Sequence, residues 1–278
     1  MHYLIISLFV SLPLFGQDFT FNKETGKAVP KFVGELKLVK GRVLRTTGGR
    51  PRVVKVGEKF LPKDVVATEK NSSMKILIAD DTWLSLGPDS ELVFSEFDFR
   101  EKDDRDVGYE LRKGQLAANV RRKVKSGAVN FRTRYTTMGI RGTKLMMNYR
   151  EVGGKAISEY ALVEGKALVT DSQGAPHELG AGERIVLIED QKTKEATLEK
   201  LQLSPEDLEN FASPEADEDK GIRPFMPYYE PKAVSVSAVD EGVVERSKKE
   251  KTTSGDGSFS NLKKLNEQLK DNQKKQRR

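Results

Sequence analysis

"VKGRVLRTTGGRPRVVKVGEKFL", residues 39–61, is echoed further along the chain by "VEGKALVTDSQGAPHELGAGERIVL", residues 163–187. Both run Val-x-Gly-basic-x-Leu, pass Gly49-x-Pro51 or Gly174-x-Pro176, and reach Gly57-Glu58-Lys59 or Gly182-Glu183-Arg184. Gly41 and Gly57 are 16 residues apart, Gly165 and Gly182 are 17 apart. A weaker third copy begins at "LRKGQLAANV", residues 111–120, around Gly114. Repeated supersecondary units of this kind predict strands that wind and stack, each burying the apolar face of its neighbour. The interval between copies is irregular, so the expectation is solenoid-like and no stricter.

The sequence around the echo agrees. From Glu35 to Leu187 the chain is a series of short alternating runs, among them "SMKILIA", "TWLSLG", "ELVFSEF", "AVNFRT", "TKLMMNY" and "EYALVEG". Runs of four to eight residues rich in Val, Ile, Leu, Phe and Thr, broken by Gly, Asp, Asn and Pro, are the pattern of an all-β domain. The predicted fold is therefore all-β, a solenoid-like or twisted stacked β-sheet domain over residues 35–190, after a lead-in over 17–34. A helical extension is expected over 191–215. Ser204-Pro205-Glu206-Asp207 offers an N-cap, a proline at the first helical position and an acid three residues after the cap, starting a short helix through about Phe211. Residues 216–278 read as a disordered, basic-ended tail, too polar to offset the entropy of ordering. Within it "GIRPFMPYYEPKAV", residues 221–234, stands apart as a docking peptide or a core strand, with Phe225, Tyr228 and Tyr229 as possible partner contacts. Leu262, Leu265 and Leu269 sit at helical spacing and make either a short basic helix or a solvated end.

Composition narrows the chemistry. The 278 residues carry 48 Lys or Arg and 42 Asp or Glu, a net of +6, but Asn261–Arg278 alone contributes seven basic residues against Glu267 and Asp271. The remainder is almost neutral, so no basic face for nucleic acid is implied. The absence of cysteine removes disulfides, thiolate metal sites and cysteine nucleophiles. With only His2 and His177, imidazole catalysis has one candidate outside the leader. Tyr3–Phe15 is apolar but shorter than the roughly 20 residues of a membrane-spanning helix, and reads as a signal peptide over residues 1–16, the alternative being a buried N-terminal strand. No later stretch is long and apolar enough to span a bilayer.

"TTMGIRGTKL", residues 136–145, lacks the Gly-Lys-Ser/Thr order and the following helix of a phosphate loop. Gly139 and Gly142 instead permit positive φ or close backbone contact, leaving Arg141 directed at neighbouring coils or at a partner. Its fixed donors suit loop carbonyls or a carboxylate, with Asp64, Asp80 and Asp81 as candidate acceptors.

Taken together, "KGRVL", "GEKFLPKDVVAT", "NSSMKILIADDTWLSLGPDSEL", "LRKGQLAANV", "FRTRYTTMGIRGTKL", "ALVEGKALV" and "GAGER" resemble, in order, the FecR protein domain family over Val39–Glu183. The resemblance implies an all-β, solenoid-like fold, and a periplasmic role in passing on a signal through protein contacts. Its structural motif residues are taken as Gly41, Gly57, Asp64, Asp80, Asp81, Gly114, Gly139, Arg141, Gly142, Thr143, Gly165 and Gly182. Two departures stand out. Asp80-Asp81-Thr82 replaces the usual Asp-Gly-Ser/Thr, so Asp81 must take a left-handed turn at some cost. Thr133-Arg134 replaces Thr-Pro, which loosens that corner. Regulators of the family also carry an anti-sigma segment, a membrane helix and a receptor-docking domain. None is visible in this sequence, so direct control of a sigma factor is not expected.

The expected function is a non-catalytic extracytoplasmic binding or signalling module, periplasmic or secreted, acting through protein–protein or cell-envelope contacts and needing no cofactor. The alternative is nucleic-acid binding by the basic 121–134 region, including Arg132 and Arg134, with the C-terminal tail. Against it, such a basic hairpin in a neutral domain is usually a solvated edge. "EKDDRD", residues 101–106, groups Asp103, Asp104 and Asp106 but lacks the glycine and distal Glu of a calcium loop, and reads as an acidic hairpin tip. Trp83 alternates with Leu84 and Leu86 and so faces away from them, either packed on a sheet face or presented to a partner.

Overall fold

The alternating runs become nineteen strands and one short helix in the computed structural model, which describes residues 19–21, 28–211 and 225–230. The chain divides into two units, 1–229 and 230–278, and every described residue except Glu230 belongs to the first. The expected signal peptide, part of the lead-in and most of the tail lie outside the described residues.

In chain order the strands are β1 (Phe19–Phe21), β2 (Ala28–Pro30), β3 (Gly34–Lys40), β4 (Val43–Thr47), β5 (Arg50–Val53), β6 (Lys59–Phe60) and β7 (Val65–Thr68). There follow β8 (Ser73–Ile78), β9 (Trp83–Leu86), β10 (Glu91–Glu101), β11 (Asp104–Asn119), β12 (Ser126–Arg132) and β13 (Thr137–Ile140). The last six are β14 (Lys144–Val152), β15 (Lys155–Glu164), β16 (Lys166–Thr170), β17 (Pro176–Gly180), β18 (Glu183–Asp190) and β19 (Ala196–Gln202). The extension expected to be helical from residue 191 instead begins as β19, which continues the sheet by pairing with β18. The helix, α1, spans Pro205–Phe211. It begins where the cap residues predict: the Asp207 amide donates to Ser204 Oγ at 3.0 Å, and the Ser204 amide donates back to Asp207 Oδ2 at 3.1 Å.

Apart from the β1–β2 pair, the strands form one hydrogen-bonded sheet of 17 strands. It has two walls. The first runs β6-β3-β8-β9-β11-β14-β15-β18-β19. The second runs β5-β4-β7-β10-β11-β12-β13-β16-β17. Strand order in each wall climbs with the sequence, apart from the inverted first pair, so the chain visits the walls alternately and advances along the stack. Strand β11 belongs to both: its residues up to Lys113 pair with β10, and Gly114–Asn119 pair with β9 and β14. The parallel β11–β12 pair depends on this device. Parallel neighbours need a crossover, and the second half of β11, running in the opposite wall, supplies it.

Because side chains alternate along each strand, both walls turn one apolar face inward. Leu36, Met74, Ile76, Leu84 and Leu116 of the first wall meet Val43, Val66, Phe94, Tyr109 and Phe131 of the second in one buried cluster. The rings of Phe94, Tyr109 and Phe131 pack side by side because they are register partners on β10, β11 and β12. The echo in the sequence is also an echo in space. Strands β4, β5 and β6 stand at one end of the two walls, and β16, β17 and β18 repeat the same wall assignments near the other end.

Candidate recognition groove

The outer face of the first wall carries a polar row that no local sequence pattern announces. Gln115 on β11 pairs with Asn148 on β14, Asn148 with Glu159 on β15, Glu159 with Val186 on β18, and Val186 with Glu199 on β19. Pairing register therefore lines up Gln115, Asn148, Glu159 and Glu199 across the strands. Two residues along each strand lies a mostly apolar row, Ala117, Met146 and Ala161, continued by Arg184. Together the rows make a groove that crosses the strands.

Residues 225–229, Phe-Met-Pro-Tyr-Tyr, occupy it. Met226 is fully buried with Met146, Ala161 and Leu203. Phe225 lies over Gly87, where an added Cβ would come within 3.1 Å of its ring. The main chain of the segment is held by side chains. The Met226 carbonyl accepts from Gln115 Nε2 at 2.8 Å and Asn148 Nδ2 at 3.2 Å, and the Pro227 carbonyl accepts from Arg184 at 3.1 Å. The Tyr229 amide donates to Glu159 Oε1 at 2.9 Å, and the Tyr229 carbonyl accepts from Arg150.

The readers are braced against one another. Glu159, wholly buried, also pairs with Arg184, and Asn148 Nδ2 donates to its Oε2 at 3.2 Å. Guanidinium groups cover both aromatic rings, Arg150 at 4.9 Å from the Tyr228 centroid and Arg184 at 5.9 Å from that of Tyr229. Burial raises the phenol pKa of Tyr228, and the hydrogen bond to Glu199, 2.6 Å, raises that of Tyr229, so both stay protonated at neutral pH. Phe225, Tyr228 and Tyr229, singled out as partner contacts, are thus seated on the chain's own sheet.

A separate polar feature lies inside the stack. Arg105 and Asp80, 0% and 1% exposed, meet with Nε–Oδ2 at 2.6 Å. Arg105 also donates to the Lys102 and Arg122 carbonyls, and Asp80 Oδ1 accepts the Thr82 amide at 2.9 Å. Asp64 has a similar buried arrangement with Arg45, Nε–Oδ2 2.7 Å, and accepts from Thr47 and the Leu61 amide. These pairs hold turns.

Residues 64–171 match the family model described as FecR protein. That stretch is similar to the FecR protein family. No curated protein matches the chain. Crystal structures of a "putative anti-sigma factor" from Parabacteroides distasonis align with it at 16% identity and a TM-score of 0.42. The alignments cover 54% of this chain and 64% or 65% of those, so the match spans a little under two thirds of their length. The floor of the groove, Gln115, Asn148 and Glu159, lies within the matched FecR residues; Arg184, Glu199 and the seated segment lie outside them. "KGRVL" and "GAGER" also fall outside, although their strands continue the same two walls.

Within and around the matched residues the motif residues hold corners. Gly41, Gly57, Gly114, Gly142, Gly165 and Gly182 all have positive φ, as does Asp81 at +69°, the left-handed turn expected where the family has glycine. Gly139 differs: it sits in β13 without positive φ, and a Cβ there would find only Asn130 Oδ1, at 3.6 Å. Arg141 is exposed and donates to the Val124 carbonyl at 3.1 Å. The three aspartates proposed as its acceptors serve other cations: Asp64 takes Arg45, Asp80 takes Arg105, and Asp81 takes Lys102 and Arg122. Those two cations hold the Asp81 carboxyl below the usual range although burial pushes it up. Thr143 is buried, its methyl facing Gly165 and its carbonyl accepting the Val120 amide at 2.9 Å.

Trp83 faces outward, opposite to Leu84 and Leu86, yet is only 7% exposed, with Lys75 Nζ 5.0 Å from its ring centroid. It is the sole tryptophan. Iodide is therefore expected to quench the protein's fluorescence several-fold less than that of free N-acetyltryptophanamide. Quenching as strong as that of the free indole would place the ring in solvent.

Proposed function

We propose that the chain is a non-catalytic, extracytoplasmic binding and signalling module of FecR type, exported by residues 1–16 and acting through contacts with a protein or cell-envelope component. The observation that carries this reading is the row Gln115–Asn148–Glu159 with Arg150 and Arg184, which grips an extended main chain on an outer sheet face. Side chains arranged to satisfy another segment's carbonyls and amide are recognition chemistry. The carboxylates that catalysis could use are engaged in ion pairs: Asp103 with Lys125, Asp104 and Asp106 with Arg100. His177 lies on β17 with Asp171, 2.9 Å away.

Nucleic-acid binding is less well supported, because at least three of the six basic residues of 121–134 are paired on the same body. Arg122 meets Asp81 at 2.7 Å, Lys125 meets Asp103 at 2.6 Å, and Arg134 meets Glu151 at 3.5 Å. Such pairs reduce the net charge available to release counterions from a phosphate backbone.

The test is photo-crosslinking in intact cells. A photo-reactive amino acid at Glu199, on the groove rim, is expected to give discrete adducts in the envelope fraction that Arg150→Ala/Arg184→Ala removes. The same group at Arg50, exposed on the second wall, is expected to give none of them. Unprocessed protein recovered from the cytoplasm, or identical adducts from both positions, would overturn the reading.

A further inference from the structure

Resting on that reading, the structure assigns residues 225–229 as an intramolecular competitor: they fill a peptide site whose partner presents an extended segment of apolar residue, proline and two aromatics. Three observations carry this.

First, the site reads main chain more than side chains. Among the described residues, five of its six hydrogen bonds to the segment fall on main chain, on the carbonyls of Met226, Pro227 and Tyr229 and on the amide of Tyr229, and one falls on the Tyr229 hydroxyl. Any extended chain offers those main-chain atoms. Side-chain selection falls on one closed apolar slot, filled by Met226 among Met146, Ala161 and Leu203, on aromatic rings against Arg150 and Arg184, and on the Tyr229 hydroxyl at Glu199. Pro227 is exposed and contributes through its ring, which fixes its own φ and biases Met226 before it toward extended backbone.

Second, the readers belong to the sheet. Gln115, Asn148 and Glu159 are successive register partners, and Asn148–Glu159 and Glu159–Arg184 contacts join them without the segment. The site is preorganised, and its floor is polar. When the segment leaves, water can satisfy Gln115, Asn148, Glu159 and the two arginines, and only a small apolar slot is uncovered. A structural strap would cover an apolar face whose exposure the fold could not tolerate. Here one side chain is fully buried, as suits an exchangeable ligand.

Third, the tether sets the competition. Thirteen residues, 212–224, separate α1 from Phe225. A connection of that length holds a segment near its site at a local concentration on the order of mM. An outside peptide then sees its affinity reduced by the fraction of sites left open. The same tether favours occupation in cis over exchange between two copies.

The experiment uses the full chain and a fluorescein-labelled peptide of residues 222–232 as the probe, read by anisotropy. Met226→Asp puts a carboxylate into the apolar slot and ejects the segment. That chain is expected to bind the wild-type peptide at least tenfold more tightly than the wild-type chain does. Adding Gln115→Ala and Asn148→Ala should lose at least tenfold, and a labelled peptide itself carrying Met226→Asp should not bind. Equal binding by wild-type and Met226→Asp chains would overturn the proposal, as would concentration-dependent dimers of the wild-type chain abolished by Met226→Asp, which would make a second copy the occupant.

Should Met226→Asp lose its β circular dichroism, a wild-type chain with a specific protease sequence inserted within 212–224 replaces it. After cutting, excess labelled peptide is expected to displace the fragment that begins near residue 225. A fragment that resists displacement is a structural strap and ends the proposal. Failure here with partner adducts still formed from position 199 would remove the competitor and leave the binding function. Loss of those adducts with intact peptide exchange would do the reverse.

Discussion

Replacing Arg105 with methionine is expected to destabilise the protein by about 3–5 kcal/mol, a large share of what holds a domain folded. The guanidinium is 0% exposed and meets Asp80 at 2.6 Å while donating to the carbonyls of Lys102 and Arg122. Methionine fills much of the volume but leaves a carboxylate buried without its counter-charge and two carbonyls without a donor. The Asp80→Asn/Arg105→Met double variant should recover part of the loss. Asparagine removes the stranded charge yet keeps an oxygen for the Thr82 amide, now held at 2.9 Å. Urea unfolding of the four chains of this cycle measures the coupling directly. A single Arg105→Met variant within about 1 kcal/mol of wild type would show that the pair adds little.

Gly114→Ala is the second large effect, expected at about 3 kcal/mol or more from left-handed strain plus overpacking. Gly114 stands where β11 passes from one wall to the other, at φ +91°, and a Cβ there would sit 2.6 Å from Ser90 Cα. Backbone cannot give way as a flexible side chain would. Ser90 is itself committed: its hydroxyl accepts the Gln115 amide at 2.9 Å, next to the crossing. Gly139→Ala is the matched control, since that glycine has no positive φ and no atom closer than 3.6 Å to the added carbon. Its expected change stays within about 1 kcal/mol, because alanine also loses less backbone entropy than glycine on folding. Thermal melts of the two variants side by side give the comparison, and equal losses would contradict the role assigned to Gly114.

Much of the stack was legible from residue order. The alternation in "SMKILIA" and "TWLSLG" marks β8 and β9, and the Ser204-Pro205 start of the helix appears where its capping atoms require. The echo of residues 39–61 in 163–187 corresponds to matching hairpins, β4–β5 and β16–β17. Arg105 was not legible. It sits in "EKDDRD", a run whose charge reads as a solvated tip, and that reading holds for Asp103 but not for the arginine two residues on. Alternation along β11 turns Arg105 inward with Val107 and Tyr109, and local charge carries no sign of that. Arg141 was legible only in part: its donors suit loop carbonyls or a carboxylate, and it meets the Val124 carbonyl, because Asp64, Asp80 and Asp81 pair with other cations.

The groove marks the boundary between the two kinds of information. By itself the sequence determined that the chain alternates with period two, turns at glycines and aspartates, and carries one aromatic, proline-rich motif beyond its β region. Those are properties of neighbouring residues, set by backbone sterics and by side-chain periodicity. Only the tertiary structure decided that Gln115, Asn148 and Glu159 stand in one row and that Met226 lies beside them. Strand register joins residues 33 and 11 positions apart, and the docked segment comes from 78 positions beyond Asn148. Such contacts follow from which apolar faces find each other in the folded stack, a choice made by the whole chain at once.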